Sequence, residues 1–280
     1  MKPNIIIIRY SELFLKSDYV RNKLQKKLAD NIRNGMKIQG IEGKLIRQRG
    51  RIFLKTEQIE QATELLTHIF GIVSLSPSMK MELKKLEDFI RKNSEELIKG
   101  NSFAVRVKRS GEHDFTSQEL AVKLGQIVVD RTGKKVDLEG PDTKLNVEVR
   151  GSKAYIFTKK IDGPGGMPLG SQGKVNCYID SREVLVACWL MMKRGSRAKV
   201  YHIFPTDVLD KWSYGVNLEK IKVSSVDEVD IKSPVVLGIN LEKDGLEKIK
   251  EFEKKFETVL SPVIAFTKNE VDEIWDKINK

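Results

Sequence analysis

The sequence predicts a multidomain protein of α+β and α/β class: a ferredoxin-like layer first, a second mixed unit, and a parallel α/β sheet last. Three observations carry this expectation. Residues 1–75 read in the order β-α-β-β-α, which is the layout of a ferredoxin-like sheet. Residues 174–280 set short, nearly continuous apolar strands between helices, the pattern of a parallel sheet covered on both faces. Between the two halves runs a glycine-rich segment, Gly163-Pro164-Gly165-Gly166-Met167-Pro168-Leu169-Gly170-Ser171-Gln172-Gly173. The expected division is an N-terminal domain 1–75, a second domain 76–162, a linker 163–173 and an α/β domain 174–280.

The chain has 280 residues, 32% charged and 40% hydrophobic, enough for two or three domains. No apolar run approaches the roughly 20 residues of a membrane helix, so no membrane partner is expected. The start, Met1-Lys2-Pro3 before Ile5 to Ile8, is too short for a signal peptide, and the expected location is the cytoplasm. Cys177 and Cys188 form no disulfide framework and match no zinc or thioredoxin-type spacing; no metal site is assigned.

The net charge of +11 is unevenly placed. Residues 1–170 hold 32 Lys and Arg against 21 Asp and Glu, while residues 171–280 hold 18 of each. All the excess lies in the first 170 residues, so a polyanion is expected to bind there.

Taken in order, Ile5 to Arg9 reads as a buried strand, and Tyr19 to Asn34 as a helix with Leu24, Leu28 and Ile32 on one face. Gly43 to Leu54 holds two strands joined by a basic hairpin, Arg47-Gln48-Arg49-Gly50-Arg51. Alternation along an extended segment would put Arg47, Arg49 and Arg51 on one face, as RNA contacts. Ile59 to Ile69 is a helix with Ala62, Leu65, Leu66 and Ile69 inward. Lys85 to Lys99 is another, with a stripe of Leu86, Phe89, Ile90 and Leu97. Phe103 to Arg109 alternates as a strand, with Phe103, Val105 and Val107 on one side and Arg106 and Lys108 on the other. Thr116 or Ser117 caps a helix from Gln118 to Asp130, and Glu119 complements its dipole. Arg106, Lys108 and Arg109 lie beside that helix start, where basic side chains and free N–H groups suit phosphate and 2′-hydroxyl contacts. His113 and Phe115 are placed either to stack on an unpaired base or as loop and core residues. Lys144–Val149 and Lys153–Phe157 pair around Arg150-Gly151-Ser152. Strands follow at Lys174–Ile179, Ala198–Phe204, Ile221–Val223, Val235–Leu241 and Pro262–Thr267. Helices are expected at Glu183–Arg194, Leu246–Leu260 and Lys268–Asn279, the last capped by Asn269 or Thr267. Ligands of such sheets sit at the carboxyl ends of the strands, which here offer Asp180-Ser181 and Pro205-Thr206-Asp207.

Four motifs carry a family resemblance. FAVRVKRSGEHDFTSQEL and VDLEGPDTKLNVEVRGSKAYIF resemble a THUMP domain, the tRNA-binding module of several modification enzymes. IIIRYSELFLKS, which contains Lys16, resembles the opening domain of ThiI-type tRNA sulfurtransferases, the 4-thiouridine synthetases. GPGGMPLGSQGKV, followed by a helix ending in WLMMKRG, resembles the junction of that family's RNA-binding and ATP-binding halves. The resemblance implies tRNA as partner, with Lys16, Arg47, Arg49, Arg51, Arg106, Lys108, Arg109, His113 and Phe115 as RNA-binding candidates. It also implies a PP-loop ATP-binding domain.

The chain departs from the family at the loop itself. The family carries Ser-Gly-Gly-x-Asp-Ser between strand and helix; this chain has Tyr178-Ile179-Asp180-Ser181-Arg182-Glu183. A pyrophosphate loop needs glycines so that several N–H groups converge on the anion, and Ile179 is β-branched. A gapless alignment keeps only Glu183 as an acidic stand-in, whereas a three-residue deletion keeps Asp180-Ser181. The vestigial catalytic candidates are therefore Asp180, Ser181 and Glu183. The family's sulfur-carrying cysteine patterns are also missing, and Cys177 and Cys188 lie in apolar runs where a thiol is a small hydrophobe.

The leading expectation is a tRNA-binding member whose adenylating site has decayed, presenting tRNA to a separate catalytic subunit or for a role not requiring ATP, with a catalytic subunit or a second copy in a homodimer as the protein partner and no cofactor assigned. The alternative is an active, divergent, ATP- and magnesium-dependent sulfurtransferase. A methyltransferase with a THUMP module is the third reading, and no glycine-rich S-adenosylmethionine loop supports it.

Overall fold

The computed structural model describes residues 2–10, 17–241 and 245–279. The chain forms two compact units. One comprises Met1–Ile8, Glu42–Thr63 and Ser74–Asp162; the other comprises Arg9–Ile41, Glu64–Val73 and Gly163–Lys280.

The first unit is built on one sheet of nine strands among the described residues. Its elements are β1 (Ile5–Tyr10), β2 (Lys44–Gln48), β3 (Arg51–Lys55), β4 (Ile72–Glu82), α3 (Leu86–Leu97), β5 (Ser102–Ser110), α4 (Ser117–Thr132), β6 (Lys135–Val136), β7 (Thr143–Arg150), β8 (Lys153–Phe157) and β9 (Ile161–Asp162). Two helices of the N-terminal segment, α1 (Asp18–Ile38) and α2 (Ile59–Thr67), separate β1 from β2 and β3 from β4. The strand order is β2-β3-β1-β4-β8-β7-β5-β6, with β9 also on β4. The long strand β4 is common to both halves of this sheet, and residue 76 lies within it.

Each half-sheet has a defined apolar face. Phe103, Val105, Leu145, Val147, Val149, Ala154 and Ile156 pack with Leu86, Ile90, Leu120, Leu124 and Val128 of α3 and α4. On the opposite face, Tyr155 and Phe157 of β8 meet Ile5, Ile7 and Phe53. Phe53 on β3 stacks on Tyr155 with ring centroids 4.8 Å apart. Strands β1 and β4 stand between β3 and β8 in the sheet, so in a flat sheet these strands would be about 14 Å apart at ~4.8 Å per strand. The sheet therefore curls back on itself, and the β2–β3 hairpin lies over the β7–β8 face.

The second unit carries a five-stranded parallel sheet. Its order is β12 (Glu219–Lys222), β11 (Arg197–His202), β10 (Lys174–Ile179), β13 (Val235–Val236), β14 (Val259–Leu260), with helices α5 (Arg182–Lys193), α6 (Gly245–Glu253) and α7 (Lys268–Asn279). Helix α1 belongs to this unit: Asn31 is buried and its Nδ2 donates to the Leu169 carbonyl at 3.0 Å. Phe70 packs in the same core, with its ring 5.4 Å from those of both Trp189 and Trp212.

The glycine-rich segment is ordered against α5. The Met167 N–H donates at 2.8 Å to Lys193 O, a carbonyl that the end of α5 leaves unpaired, and the Gln172 N–H donates to Gly195 O just past the helix at 3.0 Å. Gly166 (φ 76°) lies so close that a β-carbon would strike the Lys193 carbonyl. Three expected elements differ from their expected bounds. The strand expected at Pro262–Thr267 is a turn, and the paired residues are Val259 and Leu260, opposite Val235 and Val236. Pro262 has no N–H to add to a ladder, and Val263 turns into the core instead. Likewise α6 stops at Glu253, and β13 is regular only to Val236.

Candidate nucleic-acid interface and the strand-to-helix turn

The curl of the first sheet decides which basic residues meet. In register, Lys108 on β5 and Tyr155 on β8 flank Glu148 on β7. Glu148 is buried, and Arg51 of β3 reaches it from above the sheet: Arg51 Nη2 lies 2.9 Å and Nε 3.3 Å from Oε1. Next along β7, Arg150 donates from Nη1 to the carbonyl of Arg49 at 3.2 Å and lies over the Phe53 ring at 5.9 Å. Basic residues of the hairpin turn and of β7, with Arg49 and Arg150 101 residues apart in sequence, thus share one face around a single buried carboxylate.

The three hairpin arginines do not share a face, contrary to the alternation expected along an extended segment. The chain reverses at Arg49-Gly50, with Gly50 at φ 76°, so that Arg47 pairs with Ile52 and Gln48 with Arg51. Arg47 therefore sits on the opposite side of the ribbon from Arg51. The turn, not the period-2 alternation, sets the geometry.

Strand β5 divides its own basic residues in the same way. Arg106 and Lys108 share the Glu148 face, and Arg106 Nη2 donates to Leu138 O. Arg109 falls on the helix side, where its charge adds to the hydrogen bonds from Thr116 that lower the Glu119 pKa. There Thr116 caps α4: its hydroxyl accepts from Glu119 N at 3.1 Å while Glu119 Oε2 accepts from Thr116 N at 2.7 Å. The backbone hydrogen bond from Thr116, followed by its hydroxyl, holds the Glu119 carboxyl below the usual carboxylate range. His113 and Phe115 stack on each other at 5.3 Å, and Phe115 rests against the core of the half-sheet. Lys16 lies outside the described residues.

In the second unit, β10 is the strand at which connections switch sides: β11 and β12 lie to one side, β13 and β14 to the other. The crevice for a ligand is at the carboxyl ends of β10 and β13. Asp180 is exposed there, Ser181 is the N-cap of α5 without a side-chain capping bond, and Glu183 lies in the first turn after Arg182. Arg182 pairs with Asp272 on α7, lies 3.7 Å from Glu183 and sits 5.8 Å over the Trp275 ring. Gly238, just past β13, lies directly on the first turn of α5; a β-carbon there would meet the Glu183 carbonyl carbon and Val184 nitrogen. No glycine between Gly170 and Gly195 has positive φ. Cys177 and Cys188 are both buried, and burial, then a hydrogen bond from Cys188, pushes the Cys177 thiol well above the usual range. Among the described residues no three His, Cys, Asp or Glu side chains are grouped to hold a metal, and no helix is long and apolar enough to cross a membrane.

A curled sheet with helices on one face and a basic cluster on the other, in a chain that also carries a parallel α/β sheet, defines a modular α+β and α/β protein. Comparison with known proteins agrees. Residues 5–76 match the ThiI ferredoxin-like domain and residues 82–159 the THUMP domain. Probable tRNA sulfurtransferases of Methanobrevibacter smithii and Saccharolobus islandicus are each 38% identical, over 211 and 242 residues respectively. These alignments cover 72% and 80% of this chain but 54% and 64% of the relatives, so the chain spans little more than half the length of the first of them. PH1313 of Pyrococcus horikoshii has the same fold, with a TM-score of 0.84, 29% identity, 99% of this chain covered and 100% of that one. A 4-thiouridine synthetase crystallised with RNA and ATP shares the fold at a TM-score of 0.75 and 24% identity, covering 99% of this chain and 85% of that one. The chain belongs to the ThiI-type tRNA sulfurtransferase family.

Proposed function

We propose that this chain binds tRNA through its first unit and that its α/β domain does not adenylate the RNA. We also propose the domain division 1–75, 76–162, 163–173 and 174–280. The RNA half of the reading rests on the basic residues around β5, β7 and the β2–β3 hairpin, within matches to two domains of a tRNA-modifying family. Curated relatives named for action on tRNA support the same partner.

The single observation behind the second half is the turn after β10. A transferring phosphoryl group is stabilised by preorganised N–H groups in a water-excluded site. Here the first turn of α5 is faced by Gly238 backbone, and the turn has no left-handed glycine. Arg182, the one side chain at the turn with bidentate phosphate geometry, is engaged with Asp272 and Trp275. Cys177 and Cys188 are both unsuited to carry sulfur, since both are buried away from tRNA, and burial also holds the Cys177 thiol well above its usual pKa.

The active-enzyme reading keeps one supporting observation: Asp180 is exposed at the switch point of a parallel sheet, where nucleotides bind in such folds. ATP–pyrophosphate exchange with purified chain and tRNA separates the two. The expected result is exchange at background together with salt-dependent tRNA binding; exchange stimulated by tRNA would establish the divergent sulfurtransferase instead.

A further inference from the structure

Glu148 is the acid at the centre of the basic cluster, and that position is unfavourable for an RNA-binding surface unless the carboxylate has a task. Its surroundings supply one. The side chain is 5% exposed and its Arg51 partner 19%, so the pair is largely removed from water. Arg51 is the first residue after the Arg49-Gly50 turn, and beside this pair Arg150 of β7 donates to Arg49 O of the same turn. Lys108 lies beside Glu148 in register.

We propose that Glu148 is a positioning residue for RNA binding. Its carboxylate clamps Arg51, holds the β2–β3 turn against the end of β7, and so presents Arg49, Arg150 and Lys108 as one preformed surface for RNA phosphates. The inference rests on the tRNA-binding reading. A clamp of this kind lowers the ordering cost of binding, because the phosphate-contacting side chains are already placed. It also makes a prediction of unusual sign. Were Glu148 merely an acid near RNA, its neutralisation would strengthen binding, since each added positive charge on the surface favours a polyanion. As a clamp, its loss leaves Arg51 buried without its charge partner, frees the turn and weakens binding.

The test uses the full chain with Glu148→Gln, measuring tRNA affinity at several salt concentrations and, without RNA, hydrogen exchange of the amides at the hairpin turn. The expected result is faster exchange there, with affinity falling roughly 5- to 30-fold, the factor that one or two kcal/mol corresponds to, although the net charge has become more positive. Glu148→Asp should recover part of the loss. If Glu148→Gln does not fold, Arg51→Lys keeps the charge and removes the bidentate fork; it should show the same faster exchange and weaker binding. Affinity equal to or tighter than wild type, or unchanged exchange at the turn, overturns the inference while leaving tRNA binding intact. A wild-type chain that binds no tRNA overturns the tRNA reading and this inference with it.

Discussion

At the scale of single residues, the structure separates groups that the sequence sets side by side. Lys108 and Arg109 are neighbours in the chain, but a strand sends alternate side chains to opposite faces. Lys108 stands beside Glu148, and Arg109 near Glu119 at the start of α4. Both are exposed, and no packing depends on them. The double substitution Lys108→Ala, Arg109→Ala should therefore weaken tRNA binding by about 1.5–3 kcal/mol, the range for hydrogen bonds to charged groups. A thermal melt within a degree or two of wild type is expected alongside. Because the two residues serve different faces, the single substitutions should add nearly independently; strong coupling in a double-mutant cycle would place them on one contact after all.

At the scale of elements, α4 shows how local chemistry specifies a boundary. The sequence left Thr116 and Ser117 as alternative caps. The reciprocal bonds between Thr116 and Glu119 decide for Thr116, and Gly133 in left-handed conformation (φ 65°) ends the helix. Thr116→Ala should cost about 1 kcal/mol, read as a lower denaturant midpoint with unchanged slope. The linkage sign is fixed by Glu119. Its folded pKa is depressed, so its contribution is present above the unfolded carboxylate pKa and is lost as pH falls through the lower folded value. Wild type and Glu119→Gln should therefore converge in stability as the solution is acidified, whereas the Thr116→Ala loss should persist, because the bond from the Glu119 N–H to the Thr116 hydroxyl carries no titrating group; a Glu119→Gln difference that is the same at every pH would remove the carboxylate from the cap. The β2–β3 hairpin teaches the opposite lesson. Its strands were legible from their residues, but the facing of Arg47 and Arg51 was not, because one residue more or less in the turn reverses every side chain after it.

At the scale of the whole molecule, the compact units do not follow chain order. Residues 9–41 and 64–73 belong to the unit that contains the α/β sheet. Phe70 fills the aromatic cluster of Trp189 and Trp212 in that unit's core, and it is 1% exposed. Phe70→Ala should lower the stability of the full chain by about 3–5 kcal/mol, as cavity-forming aromatic truncations do. Calorimetry measures this directly, and a loss below about 1 kcal/mol would show that the cluster closes over the gap. For the same reason a fragment of residues 171–280 lacks Phe70, Leu169 and α1, all buried parts of its unit. Mapping the RNA surface is better done by substitution in the intact chain than by cutting it.

The amino-acid sequence by itself determined the element order, the parallel character of the C-terminal sheet, the charge division and the family. Those features depend on local periodicity, on the turn residues and on motifs contiguous in the chain. It also carried the two departures at the strand-to-helix turn, the missing glycines and the β-branched Ile179, because a backbone conformation that needs glycine can be judged from the residues present. Only the tertiary structure decided that Arg51 meets Glu148, that Arg182 is held by Asp272 and Trp275, that Gly238 covers the first turn of α5, and that Phe70 belongs to the α/β core. Each of these joins residues far apart in the chain, brought together by sheet curl and helix packing. Such closures depend on how whole faces fit, and no spacing along one strand or helix encodes them.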